Sequence, residues 1–222
     1  MNSSITIHKY SSYAKINIGL QVLNKREDGY HNIKSLFVEI DLQDQLEFTP
    51  SSRFQLTVEG ADLPLDGSNL ISKAYEKIRS QIKTVKTEYS IYLKKQIPMG
   101  GGLGGGSSNA AVTLMALNQL WKLNNSTHQL ELLGAEIGAD VPFFIKGGVQ
   151  LVEGIGDELT ILNTDLLHGV TLLLIVPPIH ISTPWAYVAL NKSLQPDKSL
   201  PKFPSLSKPM KWELFENDFE RV

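Results

Sequence analysis

The chain has 222 residues, 42% hydrophobic and 20% charged, with 21 basic against 23 acidic side chains and a formal net charge of −2. Such a length buries roughly 70% of the unfolded chain's surface without a covalent staple, and the absence of cysteine excludes disulfides, zinc–thiolate and iron–sulfur centres and a thiol nucleophile. The charge balance lacks a nucleic-acid binder's basic footprint, the longest apolar run (170–176) is far short of the roughly 20 residues of a membrane helix, and no signal-peptide core opens the chain, so a cytoplasmic protein with neither nucleic-acid nor membrane partner is expected.

From 13 to 22, Ile16, Ile18, Leu20 and Val22 alternate with Lys15, Asn17, Gly19 and Gln21. This period of two predicts a half-buried strand and puts Lys15 and Asn17 together on its non-core face. Asp28-Gly29 marks a turn. Alternation over 36–42 and 54–58 predicts further strands. Ser68 or Asn69 can cap a helix reaching about Ile82, with Leu70, Ala74 and Ile78 at helical spacing, and 89–93 reads as another strand. Six of the 17 glycines then crowd into 100–106, broken only by Leu103. Ser107 and Ser108 follow directly as N-cap candidates, ahead of Ala110, Ala111, Leu114, Leu117 and Trp121 at helical spacing. Ser126 to Gln129 has the form of a capping box, opening a helix with Leu130, Leu133 and Ile137 inside and Gly138 as its stop. Pro142 biases Val141 away from helix. Strands are predicted at 149–153 and 170–176, then an N-cap Thr183 before Pro184, and a last helix carrying Trp212, Phe215 and Phe219.

The glycine run has a strand before it and an amphipathic helix after it. Glycine lets backbone approach a ligand closely and tolerates positive φ. A helix N-terminus adds unpaired N–H groups and partial positive charge. Together they suit anionic phosphate oxygens. A flexible linker is the plainer alternative, but linkers do not normally lead into a capped apolar helix. No Gly-Lys-Ser/Thr follows, so the loop is not of Walker A type. No acidic residue stands about 20 positions on, as dinucleotide recognition would need.

Three segments together resemble the GHMP small-molecule kinases, and within them the diphosphocytidyl-methylerythritol kinases. They are Ala14-Lys15-Ile16-Asn17, Asp28-Gly29-Tyr30-His31, and the run from Ile97 to Ala110, followed by Gly138-Ala139-Asp140-Val141-Pro142. The resemblance implies an α+β, two-lobed GHMP kinase fold: a ribosomal-protein-S5-domain-2-like ATP-binding lobe over 1–150 and an incomplete ferredoxin-like lobe over 151–222. It implies ATP as co-substrate, Mg²⁺, and transfer of the γ-phosphoryl group to a substrate 2-hydroxyl in isoprenoid precursor synthesis.

The resemblance also implies roles. Lys15 and Asp140 match the catalytic pair. Pro98, Met99, Gly100, Gly101, Gly102, Leu103, Gly104, Gly105, Gly106, Ser107 and Ser108 match the ATP loop. Asn17, Tyr30, His31, Thr183 and Tyr187 match substrate contacts, with Tyr30 and Tyr187 as stacking aromatics and His31 at the cytosine edge. No protein-held metal is expected from histidine–carboxylate spacing. Read singly, a strand lysine or a turn aspartate is ordinary; only joint occurrence raises them. The family's third glycine-rich motif has no counterpart after Gly169, which leads to the expectation of exposed apolar surface and of a monomer or weak homodimer. Two other readings stay open: an inactive nucleotide-binding module, and a kinase for another small acceptor such as homoserine or mevalonate.

Overall fold

The computed structural model describes residues 6–165, 167–177, 183–190, 203–204, 206–207 and 209–221. The described residues form two compact units, one within 6–14, 40–99 and 103–146, the other within 15–39, 100–102 and the described residues from 147 onward. Two long strands, β1 (His8–Lys25) and β2 (His31–Ser51), pair with each other and run through both units.

In the first unit, the C-terminal half of β2 pairs antiparallel with β4 (Glu88–Lys94), from Gln45 opposite Lys94 to Ser51 opposite Glu88. β3 (Gln55–Glu59) lies parallel to β4 on its other edge. Period-two alternation places Leu46, Phe48, Leu56, Ile91 and Leu93 in the core. Helix α1 (Leu70–Arg79) is capped by Asn69, whose side chain accepts from the Ile71 N–H at 2.9 Å. It buries Ile71, Ala74, Tyr75 and Ile78 at helical spacing. Helix α2 (Gly105–Leu120) packs against α1 and against α4 (Val141–Lys146). Its Ala110, Ala111, Val112, Leu114, Ala116 and Leu117 are all buried, so it is enclosed nearly all round. Each fully buried Leu or Ile contributes about 1.5–3 kcal/mol. Helix α3 (Thr127–Ala135) opens with the expected capping box between Ser126 and Gln129.

In the second unit, the N-terminal half of β2 pairs antiparallel with β5 (Val149–Glu153), Ser35 opposite Val152. β5 pairs in turn with β6 (Glu158–Ile161). Ile18, Leu36 and Val38 form its core, with Ile16, Val149, Leu151, Phe203 and Phe215 packed on it. α5 (Thr183–Leu190) follows.

Three expectations need correction, and one strand is added. The first helical residue of α4 is Val141, and Pro142 sits in its first turn, where a missing N–H costs nothing. β6 is an additional strand. The run 170–176 is not a strand: no described strand pairs with it, and Leu173 and Ile175 are 86% and 81% exposed. The last helix is instead two short 3₁₀ turns, Trp212–Leu214 and Asp218–Arg221. Between them the backbone is drawn to β1: Leu20 N–H donates to Glu216 O at 2.9 Å, and Val22 N–H donates to the Asp218 carboxylate at 2.8 Å.

Candidate active site

The glycine loop is anchored by a buried carboxylate in the first unit. Asp44, on β2, is fully buried. Its Oδ1 accepts from the N–H groups of Gln96 (2.6 Å) and Ile97 (2.8 Å). Its Oδ2 accepts from Lys95 Nζ at 2.9 Å, and that ammonium also donates to Ile97 O at 2.5 Å. The segment leading into the loop is thereby held by four bonds. At the far end, Gly105 lies so close that a Cβ on it would stand 3.0 Å from both Lys95 Nζ and the Ile97 side chain. Only glycine admits that approach without displacing the ion pair.

Helix α2 begins at Gly105, with Gly104 as N-cap at φ 70° and no side-chain cap bond. This corrects the expectation that Ser107 or Ser108 caps the helix; both lie in its first turn. The first helical bond runs from Ser108 N to Gly104 O, so the N–H groups of Gly105, Gly106 and Ser107 have no helical acceptor. Of the loop residues, Pro98 and Gly104 are half-buried, Leu103 and Gly105 buried, and Met99, Gly100, Gly101, Gly102 and Gly106 exposed.

The two serines differ. Ser12 Oγ lies 2.7 Å from Ser108 Oγ and 2.7 Å from Asn109 Oδ1, all three groups being buried. The amide oxygen can only accept, so Ser12 donates to it and Ser108 donates to Ser12. Ser108 is thus turned inward. Ser107 is half-exposed, and a Cβ on Gly138 would stand 3.9 Å from its Oγ. The turn that carries half-buried Asp140 therefore lies beside the first turn of α2.

In the second unit, Lys15 is not on a solvated face as the alternation suggested: it is 5% exposed. Its Nζ sits 4.3 Å from the centroid of the Phe37 ring and donates to Asn17 Oδ1 at 2.6 Å. A buried ammonium needs such partners. The Asp28-Gly29 turn is closed by Arg26 N–H to Tyr30 O at 2.7 Å, with Gly29 at φ 87°. Its Asp28 accepts from Tyr30 N–H (3.1 Å) and Arg26 Nε (2.9 Å). Desolvation, the largest single influence, pushes the Asp28 carboxyl up, but these donors and the Arg26 charge together outweigh it and hold it below its ordinary value. Tyr30 is 63% exposed beyond the turn. His31 stacks on Tyr187 of α5 at 5.3 Å and 19°, and Tyr187 meets Phe219 edge-on at 5.0 Å. Thr183 is the first residue of α5, but its side chain lies outside the described residues.

Among the described residues, no group of three or more histidines, aspartates or glutamates is placed to hold a metal ion. No helix among the described residues is long and apolar enough to cross a membrane.

The profile of the GHMP kinases N terminal domain matches residues 69–148, which span α1 to α4 and the glycine loop. A 4-diphosphocytidyl-2-C-methyl-D-erythritol kinase of Chlorobium luteolum is 41% identical over 226 residues, covering 98% of this chain and 76% of the relative. The chain belongs to the 4-diphosphocytidyl-2-C-methyl-D-erythritol kinase family. A crystal structure of a 4-(cytidine 5'-diphospho)-2C-methyl-D-erythritol kinase superposes with a TM-score of 0.68 at 33% identity, over 89% of this chain and 68% of that one. Homoserine kinase from Cytophaga hutchinsonii superposes with a TM-score of 0.57 at 20% identity, over 88% of this chain and 63% of that one. That likeness shows the GHMP kinase fold alone, so a homoserine-type acceptor is not favoured for this member of the diphosphocytidyl-methylerythritol kinase family.

Sequence reasoning missed Ser12, Asp44 and Lys95, which hold the start of α2 and the approach to the glycine loop in the first unit, and Ser35 and Phe37, which hold Asn17 and Lys15 in the second. Ser35 and Phe37 share a face of β2 at period two, but only the pairing of β2 with β1 sets them against Asn17 and Lys15.

Proposed function

We infer that this chain transfers the γ-phosphoryl group of ATP to the 2-hydroxyl of 4-diphosphocytidyl-2-C-methyl-D-erythritol. The observation that carries this most is the buried Lys15 ammonium, held by Asn17 and the Phe37 ring in the motif the family shares. These partners orient a buried cation.

In this reading the substrate 2-hydroxyl oxygen bonds to the γ-phosphorus as the bond to the β-phosphate bridging oxygen breaks and ADP leaves. Asp140 accepts or orients the hydroxyl proton. Lys15 screens charge on the transferring group. Asn17 and Thr183 hold the methylerythritol part; Tyr30, His31 and Tyr187 hold the cytosine by stacking and edge bonds. The loop from Pro98 to Ser108 wraps the phosphates, with the α2 N–H groups as donors. Mg²⁺, when bound with ATP, neutralises phosphate charge. Ser107 is the loop hydroxyl open to such a complex.

The test is ADP release in a coupled assay with Mg-ATP. The expected result is ADP formation that depends on 4-diphosphocytidyl-methylerythritol and not on homoserine or mevalonate. ADP formation with either of those, and none with the diphosphocytidyl substrate, would contradict the reading.

A further inference from the structure

Ser35 is a polar side chain with no solvent exposure, in the N-terminal half of β2, opposite Val152 on β5. A serine there contributes less apolar packing than the neighbouring Leu36 or Val38, so its hydroxyl needs a reason. Its Oγ donates to Gly19 O at 2.6 Å and accepts from Asn17 Nδ2 at 3.0 Å. Asn17 Oδ1 in turn accepts from Lys15 Nζ at 2.6 Å. The bonds form one directed chain, from ammonium to amide to hydroxyl to backbone carbonyl.

The direction matters because an asparagine amide can flip. A flipped Asn17 would aim its NH₂ at an ammonium that only donates. Gly19 O can only accept, so it takes the one hydroxyl proton of Ser35. Ser35 is then left with lone pairs toward Asn17, and only the Asn17 NH₂ satisfies them. Gly19 itself stands at φ 67°, and a Cβ there would stand 3.3 Å from Phe215 Cβ, so glycine suits the position. An asparagine so held keeps its oxygen on Lys15.

We propose that Ser35 is a positioning residue for phosphoryl transfer, locking the Asn17 amide in the orientation that holds Lys15. This rests on the reading of Lys15 and Asn17 given above. Ser35→Ala lowers kcat about tenfold, the scale of one lost hydrogen bond, while KM for ATP stays within about twofold. Ser35→Thr, which keeps the hydroxyl, restores most of the turnover.

The test is a cycle of Ser35→Ala, Asn17→Ala and the double variant in the ADP-release assay, with Lys15→Met alongside. In the Asn17→Ala background, removing the Ser35 hydroxyl should cost nothing further. If Ser35→Ala costs the same with and without Asn17, the serine acts structurally and the proposal falls. If Lys15→Met keeps full turnover, the underlying reading of Lys15 falls instead. A readout independent of turnover is the nitrogen-15 NMR signal of the Asn17 side-chain amide. It should be protected from solvent exchange in the parent and lose that protection in Ser35→Ala; unchanged protection overturns the proposal whatever the kinetics.

Discussion

The imidazole of His31 and the phenol ring of Tyr187 lie nearly parallel, with centroids 5.3 Å apart and planes inclined by 19°. One stands at the start of β2 and the other on α5, so the second unit brings together two aromatic residues far apart in sequence. Tyr187 is steadied on another side by the edge of Phe219. Tyr30, the residue before His31, points its large ring outward.

The stack bears on substrate affinity. Tyr187→Ala should raise KM for the diphosphocytidyl substrate about tenfold or more, since a base–aromatic stack is worth about 1–3 kcal/mol. KM for ATP should be unchanged. Steady-state kinetics with each substrate varied in turn measures both.

The paired serines should separate cleanly. Ser107→Ala should weaken ATP binding several-fold, the scale of about 1 kcal/mol for one hydrogen bond, with the melting temperature preserved. Ser108→Ala removes a hydroxyl already committed to Ser12, so it should lower the melting temperature and leave KM for ATP nearly unchanged. Kinetics and thermal denaturation on the two variants check this; the reverse pattern would contradict it.

Removing the Asp44 carboxylate strands Lys95, whose side chain is almost as buried as its partner's. Breaking such a pair costs about 3–5 kcal/mol. Asp44→Ala should therefore lower the urea midpoint strongly and raise KM for ATP in whatever fraction remains folded, because the Gln96 and Ile97 N–H groups also lose their acceptor.

Tyr75 gives a pH dependence. Burial first, and its bond to Glu88 second, push its hydroxyl well above the ordinary tyrosine value. A group with a raised folded pKa contributes stability that is complete below its unfolded pKa, about 10, and is lost as pH rises through the folded value. The parent should lose stability more steeply above about pH 10 than Tyr75→Phe does, with the two curves parallel below about pH 9. Melting temperatures measured from pH 7 to 11 give the comparison.

Local chemistry was the legible part of this molecule. Lys15 and Asn17, the Asp28-Gly29 turn, the glycine run and the Ser126 capping box each lie within a few residues of chain. What depends on strand pairing was not legible. Ser35 and Asp44 look like any polar residue in a strand until β2 is set against β1 in one place and against β4 and the glycine loop in the other. The run 170–176 has the composition of a buried strand, but a strand exists only where another strand accepts its bonds. Trp212, Phe215 and Phe219 have helical spacing, yet the bonds from Leu20 and Val22 to Glu216 and Asp218 hold that segment out of a helix.

The most direct measurement is phosphorus-31 NMR of the full chain incubated with Mg-ATP and 4-diphosphocytidyl-methylerythritol, run in parallel with Asp140→Asn. The expected result is one new phosphomonoester signal, equimolar with ADP, and a fall in kcat for Asp140→Asn of about 10²–10⁴-fold at nearly unchanged KM for ATP. ADP formed without a new phosphomonoester, or undiminished turnover in Asp140→Asn, would contradict the assignment.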